Sequence, residues 1–542
     1  MRSSDGSKLV GARNLFLRTS ICDFKLEHYI GYSRLFMGLY DFTVYDLINR
    51  NAVSFRDRVA WLEADDDRTL TFRKYKETVD RLACGLQENN IKKGDRIGVL
   101  GKNSLEYFLL YGSAAAIGAI MLPINWRLSA DEICFNLNDC EPKIVFVDRE
   151  YQQVIEGIKD RLPSVKHYSN LNSEGGQFLD FESLLDNEGD FEGEDVSNDD
   201  GFVIIHTAAV AGRPRGALLS HGNLLYANLH LNYCFNLSTK DVHLNLLPMF
   251  HVGGLLMVTN SFQAGVLNVN MSKFDAKKAV MLIEEKQVSV IFDFSPILAL
   301  ILEEQEKTGK RINSLKAVMG LDTPETIEKY QNLTSGTFFT IYGQTETTGL
   351  ATLGRYRDRP GSAGKMIQIG EVRLVDDYDQ PVSAGQVGEI TMKGPLVFKG
   401  YWNLPEDNEY TFRDGWHHTG DLGRFDDDGF LWYEGRKAEK ELIKPGGENV
   451  YPAEVEKVIL QHSAIDKTVV FGVPDPKWRE GIKAVCVLKT GEHLESKELI
   501  KFVGHRIAGY KKPQYVEFIS ELPCLEDGSP DRDKIKERYG GP

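Results

Sequence analysis

The sequence predicts an α/β protein built of one large domain and one smaller domain. Segments typical of strands alternate with segments typical of helices, and the runs at 96–100, 143–147 and 289–292 are short and apolar. This alternation is typical of helices packed on mostly parallel sheets. From 372 to 393 the pattern changes to short strands with Gly and Pro turns, which indicates an antiparallel piece. The stretch after Arg436 has the size of one small domain.

Length, charge and cysteine usage restrict the class of protein. A chain of 542 residues can form two or more domains with large buried cores. The formal net charge of −15 argues against general nucleic-acid binding, because that function needs a basic surface to displace counterions from phosphates. The seven cysteines are scattered without a CxxC pair, and the N-terminus lacks the apolar core of a secretory leader. We therefore expect reduced thiols and a cytoplasmic protein.

Two uncharged runs, 107–124 and 246–263, approach the length of a membrane span. Gly112 and Gly118 lie inside the first run and Pro123 ends it. We therefore interpret the first run as a buried helix that leads into a buried strand, and we interpret the second run in the same way. We expect no transmembrane segment.

The domain boundaries follow from these changes in pattern. We expect an N-terminal extension over 1–41, a large domain over 42–436 and a small domain over 437–542. Residues 11–40 mix Phe, Leu, Tyr and Arg, and they could form an extra surface helix, a membrane-surface contact or an oligomer contact; we favour plain packing. Residues 172–200 are rich in Asp, Glu, Gly, Asn and Ser, which predicts a solvated loop.

The segment Gly212-Arg213-Pro214-Arg215-Gly216 is the first candidate for chemistry. Glycines allow backbone N–H groups to approach an anion, and a neighbouring cation neutralises it, so the segment is typical of phosphate binding. A structural turn is the alternative. The GxxxxGK[ST] spacing of a Walker loop is absent.

A second segment, Tyr342-Gly343-Gln344-Thr345-Glu346, follows an apolar strand-like run. An aromatic ring at a strand end can stack on a base, a Thr hydroxyl can bond a phosphate, and a Glu can hold Mg²⁺ that also binds substrate phosphates. Asp421, between Gly420 and Leu422, could accept both hydroxyls of a ribose. A polar loop and a turn aspartate are the alternatives.

In their order and spacing these segments resemble the adenylate-forming (AMP-binding) superfamily, which includes acyl-CoA synthetases, luciferases and peptide-synthetase adenylation domains. The resemblance extends over about residues 42–540. It also rests on the motifs Leu122-Pro123-Ile124-Asn125-Trp126-Arg127-Leu128, Pro248-Met249-Phe250-His251-Val252-Gly253, Gly388-Glu389-Ile390, Gly400-Tyr401-Trp402-Asn403, Gly415-Trp416-His417-His418-Thr419-Gly420-Asp421, Gly435-Arg436 and Gly446-Gly447-Glu448-Asn449-Val450-Tyr451-Pro452-Ala453-Glu454.

The resemblance implies a reaction in two steps. A carboxylate is joined to AMP from ATP with release of pyrophosphate; a small, mobile α+β C-terminal domain then rotates, and CoA attacks the acyl-adenylate to give a thioester and AMP. It also implies a β-barrel-like subdomain in the large domain. The implied cofactors are ATP or AMP, Mg²⁺ and coenzyme A, the partner is a small carboxylic acid, and a homodimer is an ordinary expectation.

The residues that the resemblance implies for the nucleotide surround its base and ribose. Tyr342 and Tyr433 would flank the adenine, and Asp421, helped by Arg436, would hold the ribose. The other cofactor-binding residues implied are Thr207, Gly212, Gly216, Gly343, Gln344 and, along the pantetheine tunnel, Gly446 and Gly447. The catalytic residues implied are Thr345 at the α-phosphate, Glu346 as the Mg²⁺ ligand, Arg215 as the phosphate-loop cation, and His251, which would close the acyl pocket until the second step.

His251 also bears on the branch of the family. Peptide-synthetase domains carry an aspartate there to pair with an amino acid's ammonium group, and a histidine leaves that group without its partner. We therefore favour the acyl-CoA synthetase branch. The implied pocket contains Phe294, Ser295, Gly320 and the segment 347–350, and its apolar neighbours suit a hydrophobic aliphatic, alicyclic or aromatic acid.

The chain departs from the family pattern in three places. Residues 208–211 read Ala-Ala-Val-Ala where the family has hydroxyl and glycine residues, and Arg215 replaces a lysine. Each lost hydrogen bond to a charged phosphate would contribute about 1.5–3 kcal/mol. Ser529 stands where the family's C-terminal lysine contacts the carboxylate, and an apparent two-residue insertion leaves the hinge at any of 438–440.

Two of these departures affect adenylation, whereas the AMP and CoA motifs are intact. Three functions fit that pattern: a working ligase with a rearranged pyrophosphate site, a ligase suited to forming ATP from acyl-CoA, AMP and pyrophosphate, and an inactive protein that binds AMP or acyl-CoA. We favour the working ligase.

Overall fold

The computed structural model describes residues 41–172, 178–189, 191, 194–210, 213–437, 442–525 and 530–541. It confirms the predicted α/β class. Two large mixed sheets are flanked by helices, a five-stranded antiparallel sheet follows, and a smaller unit with its own sheet forms the C-terminal end.

The first large sheet has nine strands, and its central strands run parallel. Its order is β15 (Lys365–Met366), β14 (Thr352–Arg355), β13 (Thr337–Tyr342), β12 (Ala317–Leu321), β11 (Val290–Phe294), β9 (Val242–Asn245), β10 (Leu267–Asn270), β1 (Val59–Glu63) and β2 (Thr69–Thr71). The second has seven strands in the order β18 (Gly400–Tyr401), β8 (Arg213–Ser220), β7 (Gly201–Val210), β4 (Ile120–Ile124), β3 (Arg96–Leu100), β5 (Ile144–Val147) and β6 (His167–Asn170). The strands predicted at 96–100, 143–147 and 289–292 are therefore confirmed as β3, β5 and β11.

The helices of the large sheets pack on their faces. They are α1 (Val44–Ser54), α2 (Phe72–Glu88), α3 (Leu105–Ile117), α4 (Ala130–Cys140), α5 (Gln152–Ile158), α6 (His221–Phe235), α7 (Val252–Gln263), α8 (Ala276–Lys286), α9 (Ile297–Thr308) and α10 (Pro324–Thr334). The uncharged run 107–124 is α3 followed by β4, and every residue of both elements is buried. Gly118, at φ 66°, ends α3 in the left-handed conformation that glycine tolerates best. No helix in the described part of the chain is long and apolar enough to cross a membrane.

The antiparallel piece predicted at 372–393 is confirmed. β16 (Glu371–Val375) pairs with β17 (Val387–Lys393), which pairs with β20 (Trp416–Phe425). β19 (Phe412–Arg413) and β21 (Leu431–Arg436) complete this sheet, and α11 (Pro405–Thr411) lies directly before β19. β20 and β21 carry two motifs of the sequence analysis, so this sheet brings them to the large sheets.

The C-terminal unit has its own core. It contains β22 (Ile465–Asp475), β23 (Arg479–Leu488) and β24 (Tyr515–Ile519), with α12 (Pro452–Ile459), α13 (Ser496–Gly504) and α14 (Arg532–Tyr539). Apolar side chains from its helices and strands form a cluster of their own, which includes Val455, Ile482 and Leu499.

The segment 172–200 differs from the predicted solvated loop. Phe181–Leu185 forms a 3₁₀ turn whose Phe181, Leu184 and Leu185 are buried. The backbone of Leu184 packs so closely on α2 that a Cβ at Gly85 would lie 2.1 Å from its carbonyl oxygen. The polar composition of the segment concealed these apolar anchors.

Candidate active site

Asp421 on β20 is the centre of the candidate nucleotide site. Its Oδ2 accepts hydrogen bonds from the hydroxyl of Tyr342 at 2.8 Å and from Nε2 of Gln344 at 2.5 Å. Its Oδ1 lies 2.9 Å from Nε of Arg436, at the end of β21. Three segments far apart in sequence therefore meet at one carboxylate.

The surroundings of Asp421 set the charge states of Tyr342 and Arg436. Asp421 is only 2 % exposed. Burial and the neighbouring Asp421 carboxylate raise the pKa of Tyr342, so its phenol stays neutral and donates. Burial opposes the charge of Arg436, but Asp421 holds the pKa of the guanidinium above its usual value. The result is a buried carboxylate in contact with one cation and two neutral donors.

Two aromatic rings stand beside this carboxylate. The centroids of Tyr342 and Tyr433 lie 6.1 Å apart with their planes 31° from parallel. Directly after Tyr342, the backbone at Gly343 passes very close to the backbone of Gly349. A Cβ at Gly343 would lie only 2.3 Å from it. Only glycine allows this close approach, so Gly343 positions the residues that follow.

Glu346 lies in the 3₁₀ turn Thr345–Thr347, directly after the rings. Its side chain is buried, and Oε1 accepts a hydrogen bond of 2.7 Å from the hydroxyl of Tyr401 on β18. Its carbonyl oxygen accepts from the backbone N–H of Phe398. Thr345 lies half-buried at the start of the same turn. The turn thus brings the Glu346 carboxylate to β18, with the half-buried Thr345 next to it in the chain.

Arg215 on β8 reaches the same place from the second sheet. Its guanidinium lies 3.9 Å from the ring centroid of Tyr401, and Nη1 donates to Asp407 at 3.0 Å. Burial opposes its charge, but Tyr401 and Glu346 hold the pKa of Arg215 above its usual value. Arg215 therefore supplies a buried cation close to Glu346.

The predicted phosphate segment is largely a β-hairpin. Thr207 pairs with Arg215 across β7 and β8, and its hydroxyl donates to the Arg215 carbonyl at 3.3 Å. Gly216 is buried on β8, where a Cβ would lie 2.7 Å from Ile204. Gly212 lies outside the described residues. The strand β7 continues to Val210, so the segment 208–210 has strand backbone and lacks the hydroxyl side chains of the family pattern.

His251 precedes α7 and faces the C-terminal unit. Its Nε2 donates to Oε1 of Glu448 at 3.4 Å, and Arg127 forms an ion pair with the same oxygen. The imidazole is partly open to the cleft, yet the surrounding protein and the Arg127 cation both lower the pKa of His251. A neutral imidazole therefore lies at the junction of the two units.

The loop 446–451 brings the C-terminal unit to the nucleotide site. Gly446, at φ 59°, packs against Trp478, and Gly447 follows in the same 3₁₀ turn. Arg436 donates to the hydroxyl of Tyr451 at 3.3 Å. Gly446 and Gly447 thus lie on a loop that contacts both His251 and the Arg436–Asp421 pair.

Two ion pairs, one from Lys511 and one from Arg479, join the units in this orientation. Lys511 is 2.7 Å from Glu132 of α4 and 2.9 Å from Glu454 of α12. Arg479 is 2.7 Å from Asp322, whose side chain is fully buried. These contacts hold the loop 446–451 toward the site.

Four residues of this site had no assigned role in the sequence. Tyr401, Arg127, Glu448 and Tyr451 all belong to motifs quoted above, but sequence order gave no sign of their contacts. Ser529 and the hinge candidates 438–440 lie outside the described residues.

Comparisons with known proteins identify the family of the chain. The model of the AMP-binding enzyme family matches residues 48–402, and the model of the AMP-binding enzyme C-terminal domain matches residues 454–528. The indoleacetate–CoA ligase of Aromatoleum aromaticum is 32 % identical over 87 % of this chain and 93 % of its own. The long-chain-fatty-acid–CoA ligase FadD13 of Mycobacterium tuberculosis is 31 % identical over 89 % of this chain and 95 % of its own.

A solved structure gives the same result at the level of the fold. The o-succinylbenzoate CoA synthetase of Bacillus subtilis, bound with a product analogue, superposes with a TM-score of 0.80 at 27 % identity, over 93 % of this chain and all of that one. With the matched family models and the two relatives, this shows that the chain belongs to the AMP-binding enzyme family, in its branch of acid–CoA ligases.

Proposed function

We propose that this protein is an ATP-dependent carboxylic acid–CoA ligase that works through an acyl-adenylate. The observation that carries the proposal is the convergence of Tyr342, Gln344 and Arg436 on Asp421. Glu346 follows Gln344 by two residues, so a ribose and its phosphates would meet prepared groups along one wall of the cleft. Groups fixed before the reaction stabilise developing charge without further reorganisation.

In the first half-reaction a carboxylate oxygen attacks the α-phosphorus of ATP, and pyrophosphate leaves. Asp421 would orient the ribose, Tyr342 and Tyr433 would flank the adenine, and Thr345 would bond the α-phosphate. Arg215 supplies a buried cation in a hairpin that lacks the hydroxyl side chains of the family pattern. Positioning and charge neutralisation carry this chemistry, so we favour a working forward ligase over an inactive binding protein.

Glu346 is suited to hold Mg²⁺ together with substrate phosphates. Proteins commonly bind Mg²⁺ through one or two carboxylates, waters and the phosphates themselves. Among the described residues, the two close groups of His, Cys, Asp and Glu lie elsewhere, so Glu346 would act as a single protein ligand. When bound, the ion would neutralise charge on the phosphate oxygens.

In the second half-reaction the thiol sulfur of CoA bonds to the acyl carbonyl carbon, the thiol loses its proton, and AMP leaves. Because the loop 446–451 faces the site in this orientation, the structure corresponds to the arrangement we propose for this step. Gly446 and Gly447 would line the path of a pantetheine arm, and at Gly446 the backbone packs so closely that a Cβ would lie 2.9 Å from the ring of Trp478.

A basic cleft on the C-terminal unit supports CoA as the thiol. The cleft has a volume of about 310 Å³ and is lined by Lys497, Lys501, His505 and Lys512, with Ile500 and Gly504. Lys512 follows Lys511, whose ammonium group binds Glu132 of the large domain. In a chain of net charge −15, this concentration of cations would suit the phosphates of a CoA nucleotide.

The acid is proposed to be hydrophobic. Two relatives are named for an indole-bearing acid and for long-chain fatty acids. Near His251, the rings of Phe292 and Phe294 stack at 4.9 Å, and Phe292 lies 3.0 Å from the position of a Cβ on Gly253. Such aromatic walls suit an apolar acyl group.

The test is direct. The purified protein would be incubated with ATP, Mg²⁺, CoA and a panel of aliphatic, alicyclic and aromatic acids, and acyl-CoA and AMP would be measured by mass spectrometry. A thioester with equimolar AMP is the expected result. ATP formed from acyl-CoA, AMP and pyrophosphate, with no forward product, would favour the reverse ligase. Tight AMP binding with neither reaction would favour the inactive homologue.

A further inference from the structure

The hairpin between β22 and β23 carries an arginine in a backbone conformation that favours glycine. Arg479 directly follows the turn 476–478 and has φ 63°. After a three-residue hairpin turn the next residue commonly takes this left-handed conformation, and glycine is the residue that adopts it without strain. A long side chain that is kept at such a position points to a function for that side chain.

The side chain of Arg479 reaches the large domain. Its Nη2 donates to Oδ1 of Asp322 at 2.7 Å, and the side chain of Asp322 is fully buried at the end of β12. The backbone N–H of Thr323 donates to the same oxygen at 2.7 Å. Asp322 is thus held by its own domain and presents this oxygen to Arg479.

A second carboxyl group lies beside Asp322, that of Asp293 on β11. Its Oδ1 accepts a hydrogen bond of 2.9 Å from the backbone N–H of Leu298. Burial raises the pKa of Asp293, and the neighbouring Asp322 raises it further. The first proton that this pair takes up therefore belongs to Asp293, and Asp322 keeps the negative charge that Arg479 meets.

The same hairpin turn holds the segment that enters the loop 446–451. The carbonyl oxygen of Trp478 accepts a hydrogen bond of 3.3 Å from the backbone N–H of Gly446. Oε2 of Glu480 accepts one of 2.7 Å from the backbone N–H of Lys444. A displacement of the turn would therefore displace this loop from the nucleotide site.

We propose that Arg479 is a positioning residue for thioester formation, an inference that rests on the proposed ligase function. Its ion pair with Asp322 ties the hairpin turn to the large domain, and the turn holds the loop 446–451 toward the site. The pair exists only while the C-terminal unit faces the large domain in this way. Arg479 therefore stabilises the orientation of the second half-reaction and has no part in the first.

Arg479→Gly tests this role without disturbing the turn, because glycine adopts φ 63° without strain. Thioester formation from CoA and the supplied acyl-adenylate should slow about five- to ten-fold, a moderate loss because the Arg479 side chain is half-exposed. ATP–pyrophosphate exchange should keep the wild-type rate. Lys477→Ala on the same turn removes an equal charge, which lies over the ring of Trp478, and is the matched control.

Two further variants separate the ion pair from the shape of the turn. Arg479→Lys keeps a cation at this position and should recover part of the lost thioester rate. In an Asp322→Asn background, Arg479→Gly should cause no further loss, because the partner charge is already absent. Hydrogen exchange needs no substrate, and it should become several-fold faster over residues 446–451 in Arg479→Gly than in the wild type.

The outcomes distinguish this inference from the proposed function. Thioester formation in the wild type at the same rate as in Arg479→Gly would overturn the role of Arg479 and leave the ligase standing. Equal slowing of both half-reactions, an undiminished loss in the Asp322→Asn background, or unchanged exchange over 446–451 would overturn it as well. A wild-type protein that forms no acyl-CoA from any acid would overturn the proposed function itself, and this role with it.

Discussion

The hydroxyl of Tyr401 donates a hydrogen bond of 2.7 Å to Oε1 of Glu346. This bond joins the last strand of the second sheet to the turn after β13, and the Arg215 guanidinium packs on the Tyr401 ring. Tyr401 is therefore a positioning residue for the carboxylate proposed to hold the metal.

Tyr401→Phe removes this bond and keeps the ring under Arg215. A hydrogen bond to a charged group contributes about 1.5–3 kcal/mol, so ATP–pyrophosphate exchange should slow by roughly ten- to a hundred-fold. Tyr410→Phe is the control, since Tyr410 is 55 % exposed. Equal rates in both variants would contradict the positioning role.

Glu346→Gln keeps the shape of the side chain and removes its charge. If Glu346 holds Mg²⁺, turnover should fall on the order of a hundred-fold and the Mg²⁺ concentration for half-maximal rate should rise. The measurement is turnover against Mg²⁺ concentration, with Glu406→Gln on the exposed face of α11 as control. Near-normal turnover at low Mg²⁺ would reject the metal-ligand role.

Asp421→Asn should weaken the binding of AMP and ATP alike, because both nucleotides carry the ribose. We expect the Kd for AMP to rise about ten- to a hundred-fold, the range for one lost bond to a charged group. Isothermal titration calorimetry on the variant and on Asp427→Asn, an exposed neighbour, measures this change. Unchanged AMP affinity in Asp421→Asn would place the ribose elsewhere.

Lys511→Met tests the junction between the units. Its removal leaves Glu132 of the large domain and the buried Glu454 of the C-terminal unit without their cation, and removing one partner of a buried ion pair costs about 3–5 kcal/mol. Of these two contacts only that with Glu132 crosses between the units, so only that part of the loss is specific to this orientation. Burial opposes the charge, but Glu454 raises the pKa of Lys511, so the cation is present at neutral pH. We expect thioester formation from supplied acyl-adenylate to slow while pyrophosphate exchange persists.

The control for this variant is Lys467→Met, whose side chain is exposed on β22. Equal losses in both half-reactions of Lys511→Met would indicate general destabilisation instead of a shifted orientation.

His221 predicts an acid-sensitive stability. Burial lowers the pKa of His221 to about 4, and its Nδ1 must stay unprotonated to accept from Val44. Below pH 6.5 the unfolded chain takes up a proton that the folded chain refuses until about pH 4, so stability falls as pH falls through this window. Calorimetry of Tm against pH should show a shallower decline in His221→Gln than in wild type. His493→Gln, an exposed control, should keep the wild-type slope.

Much of the fold was predictable because it rests on local patterns. The strands β3, β5 and β11 follow from short apolar runs, and α3 with β4 follows from an uncharged run interrupted by Gly118. The turn Phe181–Leu185 was missed because its anchors lie within a polar stretch whose partner, α2, is distant in sequence.

Part of the candidate site was likewise predictable from the sequence, and part was not. Tyr342, Glu346, Asp421 and Arg436 stood out because their residue types, order and spacing fit nucleotide chemistry. The contacts of Glu448 with His251 and Arg127 could not be predicted from the sequence, because they depend on how the C-terminal unit meets the large domain.

The sequence by itself determined the α/β class, the family resemblance and the residues suited to bind a nucleotide, because periodicity and motif order are properties of the chain. The tertiary structure decided which groups share a carboxylate, that Arg215 lies on Tyr401, and which loop of the C-terminal unit faces the site. Such contacts join residues up to 379 positions apart, as for Lys511 and Glu132, and their energies depend on distance and burial that chain order does not encode.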